Sequence, residues 1–257
     1  MKVIKELITY RQMLKTLVQS NLRTRYKGSV FGFLWTFINP LIMLLIYGVV
    51  FSNIMRIDIE NYYLFIFIGI LPWMYFLSSI QAGVASIVSN SNLVKKIYFP
   101  REVLPLSIVL GSLINYLLSL IILFAAFIIL DVKITITIAY FPLILLIQTV
   151  LTIGLTFFVS AINVYFRDLE HMLGLLLSAL FYVTPIIYPV SMVPEKLRYL
   201  FVLNPLNPII SSYQDIFYYH RSPNLVSLGF VSIVAVFALI IGWYVFRILN
   251  KRFAEEV

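Results

Sequence analysis

Apolar residues fall along this chain in long unbroken runs, approximately 30–54, 62–89, 105–130, 138–162, 172–188 and 225–247, whose interiors hold no Asp, Glu, Lys or Arg. A hydrocarbon core needs about 20 consecutive apolar residues of helix to cross it, so each run is a predicted span, with 172–188 the shortest. Asn39-Pro40 in the first run and Pro72 with Gln81 in the second predict kinks or a freed backbone carbonyl. Pro185 and Pro189 predict an irregular end to the fifth. Before the first run the pattern changes: Val3, Ile4, Leu7, Ile8, Leu14, Leu17 and Val18 recur at helical spacing opposite Lys2, Lys5, Glu6, Gln12, Lys15 and Gln19. That alternation predicts an amphipathic helix lying on the membrane surface. A basic elbow of Arg23, Arg25 and Lys27 follows it, and Gly28 lets the chain turn inward. Between the fifth and sixth runs, Pro194 to Leu203 and Pro208 to Tyr219 predict two short helices dipping into the outer leaflet, separated by Asn204-Pro-Leu-Asn-Pro208.

Charge then orients these runs. With the amino end inside, the outer segments hold five cations, Arg56, Lys133, Lys196, Arg198 and Arg221, which leaves fourteen of the nineteen Lys and Arg on the inner side. The positive-inside rule therefore places both termini in the cytoplasm, in agreement with an even number of spans. One inner segment, Asn92 to Pro105, joins Lys95, Lys96 and Arg101 to Tyr98 and Phe99, with Pro100 biasing Phe99 to an extended backbone. It reads in two ways: a broken helix offering an aromatic knob to a partner, or a positive loop that only sets orientation. A weaker echo, Val164-Tyr-Phe-Arg-Asp168, lies on the same face.

Composition narrows the chemistry. A chain of 257 residues that is 61% hydrophobic and 12% charged, with mean hydropathy +0.98, is a membrane protein. Its net charge of +8 lies beside the apolar runs, where topology and anionic lipid account for it without nucleic acid. There is no cysteine, hence no thiolate metal site or cysteine nucleophile. The start, MKVIKELITYRQMLK, lacks the apolar core of a cleavable signal peptide and is expected to be retained. No phosphate-binding GxxxxGK[ST] loop occurs, so any ATP drive must come from another chain. His171 and His220 fall on opposite sides of the predicted membrane, and no metal-ligand spacing is present. A proton-coupled carrier needs a titratable group at membrane depth. The spans offer only Asn39, Gln81, Asn115, Gln148 and scattered hydroxyls, which serve either a conduit or helix–helix contacts.

Several stretches taken together resemble a known family: RTRYKGSVFGFLWTFINPL (23–41), FIGILPWMYF (67–76), SNSNLVKKIYFPREVLPL (89–106), NVYFRDLEHML (163–173) and PIIYPVSMVPEKLRYLFVLNPLNPI (185–209). They are similar to the permease subunits of polysaccharide and polyol-phosphate ABC exporters, which export O-antigen, capsule or teichoic acid. The resemblance implies an all-α integral membrane protein with six transmembrane helices, an N-terminal interfacial helix, a cytoplasmic coupling helix and two short outer re-entrant helices. Its single permease domain, 1–257, would divide into interfacial helix and elbow (1–27), spans one to five (30–188), outer helices (189–224), span six (225–247) and tail (248–257). It further implies a homodimer bound to two copies of a cytoplasmic ABC ATPase, with ATP and Mg on that partner, no cofactor in this chain and no catalysis by it. The cargo would be a lipid-linked polysaccharide, and the location a bacterial inner or plasma membrane. The resemblance places the coupling helix at 92–102, hence Asn92, Lys95, Lys96, Tyr98, Phe99, Pro100, Arg101 and Glu102 at the ATPase. From the residues themselves, Arg23, Arg25 and Lys27 are expected where the diphosphate of the cargo arrives or where anionic lipid anchors the chain. Tyr182, near the centre of the fifth run, is expected on the polymer's route, and Tyr116 in packing. The competing readings are a small-molecule or lipid efflux permease and an intramembrane glycan or lipid transferase, the latter requiring a converging acid, base or metal set.

Overall fold

The computed structural model describes residues 9–26, 28–54, 59–197, 201 and 203–257, and among them every regular element is helical. The first helix, α1 (Arg11–Tyr26), is followed by the span α2 (Trp35–Gly48), which continues as a wider π turn over Val49–Ile54. Next come α3 (Tyr62–Val84), the short α4 (Ser91–Lys96), α5 (Val103–Ile129), α6 (Phe141–Tyr165) and α7 (Leu169–Tyr182). The chain closes with α8 (Leu206–Phe217), α9 (Leu225–Leu249) and the terminal turn α10 (Phe253–Glu256).

Packing follows from which helices are apolar all round. A helix without a polar stripe belongs inside a bundle, and α3 lies at its centre, with Phe65, Ile66, Ile68 and Ile70 sealed from the surface. It is surrounded by α2, α5, α6, α7 and α8. Span α9 instead lies against α6 and turns Val226, Ile233 and Phe237 outward, as a lipid solvent permits. Two glycines allow that pairing to close. A Cβ on Gly242 would stand 1.9 Å from the carbonyl oxygen of Gly154, and one on Gly154 would stand 2.5 Å from the amide nitrogen of Leu239. The backbones touch because neither position has a side chain.

Among the described residues, five helical segments are long and apolar enough to cross a membrane: Gly32–Phe51, Tyr62–Val84, Val103–Ile129, Ile136–Tyr165 and Leu225–Glu256. The fifth predicted run differs. Its helix, α7, has 14 residues, about 21 Å at 1.5 Å per residue, and ends before Thr184-Pro185. The backbone freed by this break is hydrogen-bonded from neighbouring elements. Gln214 Nε2 donates to the Pro185 carbonyl at 2.7 Å, and the Tyr62 hydroxyl donates to the Ile187 carbonyl at 2.6 Å. Irregular backbone at membrane depth survives only where such partners exist.

Two further boundaries shift from their predicted places. Arg23 and Arg25 lie in the last turn of α1, because nothing before Gly28 (φ +80) opposes helix; the elbow begins only there. The second outer helix starts at Leu206, two residues ahead of Pro208, since proline fits a first helical turn. The first outer helix is described only as a turn over Glu195–Leu197, and most of residues 198–203 lie outside the described residues. Between the two, Asn204 forms a knot: its amide donates to Thr184 Oγ1 at 2.9 Å and to Asn207 Oδ1 at 3.0 Å, while its Oδ1 accepts from the Leu206 amide. Residues 2–8 of the predicted amphipathic helix also fall outside the description.

Candidate functional site

The segment between α4 and α5 is built on a second apolar core, separate from the one around α3. Phe99, Val94, Leu104, Phe157, Phe246 and Phe253 belong to it. Helix α4 stops at Lys96 because Ile97 turns extended (φ −129, ψ 136), and Pro100 disfavours helix at Phe99 before it, the chain turning again from Pro100 into α5 at Val103. In an extended stretch successive side chains point to opposite sides. Tyr98 is accordingly 95% exposed while Phe99 is 5% exposed. Ile97 is 54% exposed, and Asn92, Lys95 and Lys96 also face outward. Glu102 is buried beside Val103, and Pro100 and Arg101 are half-buried.

Phe99, expected on the outward surface, packs instead into the chain's own core, and the outward aromatic of this turn is Tyr98. Arg101 is likewise engaged within the chain. Its guanidinium donates to the Asn250 carbonyl and, at 3.0 Å, to Asn250 Oδ1. The Tyr165 hydroxyl donates to the Leu249 carbonyl at 2.9 Å, and the Tyr10 hydroxyl reaches the Tyr98 carbonyl at 3.4 Å. Three elements distant in sequence thus hold one protruding turn. Beside it opens a cleft of about 550 Å³ whose rim carries Ile97, Tyr98, Arg247 and Lys251. Sequence reasoning missed Asn250 and Phe253 as its supports. The signal was a lone phenylalanine in the charge-rich stretch KRFAEEV.

The other predicted residues do not join this surface. Arg23 is exposed on α1, thirteen residues or about 20 Å of helix beyond Tyr10. Arg25 lies in the same turn, and Lys27 is outside the described residues. Tyr182 is the last residue of α7 rather than near the centre of a span, because the helix stops short of Pro185. It is 62% exposed and borders a small hollow of about 190 Å³ with Tyr47, Trp73, Gln81 and Ser178. Tyr116 is buried and stacks on Tyr75 with ring centroids 5.6 Å apart.

The polar residues at depth divide by whether they are bonded. Gln148 donates to the Pro72 carbonyl at 2.8 Å and accepts from the Tyr213 hydroxyl at 2.9 Å, joining α6, α3 and α8. Both atoms of the Asn115 amide, by contrast, are buried without a hydrogen-bond partner. Near the C-terminal end of α8, Asp215 accepts from Arg221 Nε at 2.7 Å. Burial pushes its carboxyl above the ordinary range, and the guanidinium partly offsets this.

Comparison with known proteins agrees along the chain's length. A family model described as ABC-2 type transporter matches residues 12–218. The chain is 39% identical over 258 aligned positions to an O-antigen export system permease protein RfbA of Myxococcus xanthus, covering 100% of this chain and 99% of the relative. A protein of the same name from Klebsiella pneumoniae is 34% identical over 244 positions, covering 95% and 94%. A polysialic acid transport protein KpsM of Escherichia coli is 26% identical over 247 positions, covering 91% and 92%.

Proposed function

Because the chain belongs to the ABC-2 type transporter family, we propose that it is the membrane-spanning permease of an ATP-driven exporter of lipid-linked polysaccharide, of the O-antigen or capsule type. The observation that carries this reading is the full-length match to polysaccharide export permeases, from the interfacial helix through the sixth apolar run. The chain works as a homodimer, with two copies of a separate cytoplasmic ATPase, in a bacterial inner or plasma membrane with both termini inside. ATP and Mg act on that partner chain.

The protruding turn is where the motor would act. A lever must be stiff on the side of the load and exposed on the side of the drive. Phe99, buried in the second core, and Arg101, bound to the tail, supply the stiffness. Ile97 and Tyr98 supply the exposed face, with Lys95 and Lys96 steering the approach of a partner of opposite charge. A tyrosine anchor of this kind contributes on the order of 2 kcal/mol when a partner groove covers it. Arg23 and Arg25, at the end of α1, stand where a diphosphate on the inner leaflet is received, since a guanidinium binds two phosphate oxygens at once. The test is to purify the permease with its ATPase and compare Tyr98→Ala with the unaltered protein. We expect ATPase recovery and stimulated hydrolysis to fall while the permease itself remains folded. Full recovery and normal export would remove Tyr98 from the coupling surface.

A further inference from the structure

The unpartnered amide of Asn115 marks a polar groove inside the membrane that the coupling surface does not use. Asn115 and Ser112, successive turns of α5, border two cavities at once. One, of about 330 Å³, reaches Trp35, Thr36, Tyr75 and Tyr116; the other, of about 260 Å³, reaches Asn21 and Thr24 on α1. Asn115 is 8% exposed, and its Oδ1 and Nδ2 and the Ser112 hydroxyl have no hydrogen-bond partner. Two polar side chains beside them are satisfied: Ser119 Oγ donates to the Asn115 and Thr36 carbonyls, and Asn21 Nδ2 donates to Ser107 Oγ at 3.0 Å.

Depth and chemistry narrow what fits. Ser112 and Asn115 lie nine and twelve residues past Val103, about 13 and 18 Å along a helix of about 40 Å, so Ser112 lies on the Val103 side of its midpoint and Asn115 close to that midpoint. An amide and a hydroxyl left unpaired in hydrocarbon cost free energy that a ligand recovers by bonding them. The amide offers both donors and an acceptor, so its complement must also donate and accept. A bare phosphate only accepts, so it leaves the acceptor of the amide unmatched, and among the described residues neither cavity is lined by a Lys, Arg or His. Hydroxyl groups do both, and Trp35, Tyr75 and Tyr116 provide the apolar walls that suit the CH faces of a sugar ring.

We propose that this groove, between α1, α2, α3 and α5, binds the sugar of a lipid-anchored glycan on the inner leaflet, with Asn115 and Ser112 as its hydrogen-bonding centre. In naming a lipid-linked sugar the proposal rests on the exporter reading above. The same chemistry is offered by the first sugar on a polyprenyl carrier and by a resident glycolipid of the membrane.

Trp35 is a built-in reporter, because the only other tryptophans are Trp73 and Trp243. The full chain carrying Trp73→Phe and Trp243→Phe, in phosphatidylcholine nanodiscs, is titrated with three lipids: polyprenyl diphosphate N-acetylglucosamine, monoglucosyl diacylglycerol and sugarless polyprenyl phosphate. The expected result is a saturable change in Trp35 emission with a sugar-bearing lipid and none with polyprenyl phosphate. Asn115→Leu should weaken this response about tenfold, the equivalent of one lost hydrogen-bonded contact, and Ser112→Ala less. A response to the polyprenyl lipid alone identifies the cargo as the source; a response to the glucolipid identifies any glycolipid. Should the tryptophan or Asn115 variants fail to fold, lipid retention by the unaltered chain and by Ser112→Ala in native mass spectra gives the same comparison. An equal response to polyprenyl phosphate, no response to either sugar lipid, or indifference to both substitutions would overturn the proposal. Because the readout is binding, it stands apart from export: unchanged surface polymer without the chain sinks the exporter reading and leaves glycolipid binding to be judged by itself.

Discussion

At the scale of single residues, adjacent side chains in the turn after α4 face opposite ways, Tyr98 outward and Phe99 into the second core. Phe99→Ala should lower the stability of the permease by about 3–5 kcal/mol, since it empties a place in the second core. Tyr98→Ala, on the exposed side, should leave the melting temperature of the purified permease nearly unchanged and act only on the ATPase. Comparing the two melting curves separates lever from knob. Asp215 makes a pH prediction. Its carboxyl is raised in the fold, so the native state holds that proton more tightly than the unfolded chain. The associated stabilisation is fully present below the unfolded value of about 3.9 and is lost as pH rises through the higher folded value. The melting temperature of the wild type relative to Asp215→Asn should therefore fall as the pH is raised from about 3.5 to 6, and a difference independent of pH would contradict the assignment. The basic and aromatic character of 92–102 was legible in the sequence, but which aromatic faces outward was not. That depends on the register of an extended segment against Phe157, Phe246 and Phe253, which are far away in the chain.

At the scale of elements, backbone contacts and cross-linking amides set the positions of the spans. Gly242→Ala should displace α9 from α6 and cost about 3 kcal/mol or more, because the added Cβ meets backbone that cannot rotate away. Loss of folded protein in detergent checks this; full stability would show that the two helices separate freely. Gln148→Leu removes a bond to Pro72 and another to Tyr213, and should cost about 1–3 kcal/mol through the unsatisfied Tyr213 hydroxyl. Long apolar runs made the spans visible, since twenty apolar residues have few alternatives to crossing a bilayer. The short α7 was less visible: Pro185 announced a break, but its depth is fixed by Gln214, Tyr62 and Asn204, which supply hydrogen bonds there. Local sequence could not reveal those partners.

At the scale of the whole molecule, two ends of one bundle are built differently. One end clamps a protruding turn between Tyr10 at the start of α1, the α9 tail and α10. The other end closes over α8, buried among α3, α6 and α9. Helix α5 runs from Val103 beside that turn past Asn115 to Ile129. Order and spacing of motifs made the permease class legible from sequence, whereas the groove at Asn115 was not. A lone amide in a span looks the same whether it is bonded, as Gln148 is, or stranded. The exporter account is tested most directly by depleting the chain in its own cell and measuring lipid-linked polysaccharide on each side of the membrane. The account predicts that surface polymer disappears while the lipid-linked form accumulates inside, and that the wild-type chain restores export. Surface polymer at its normal level, with no accumulation inside, would contradict it.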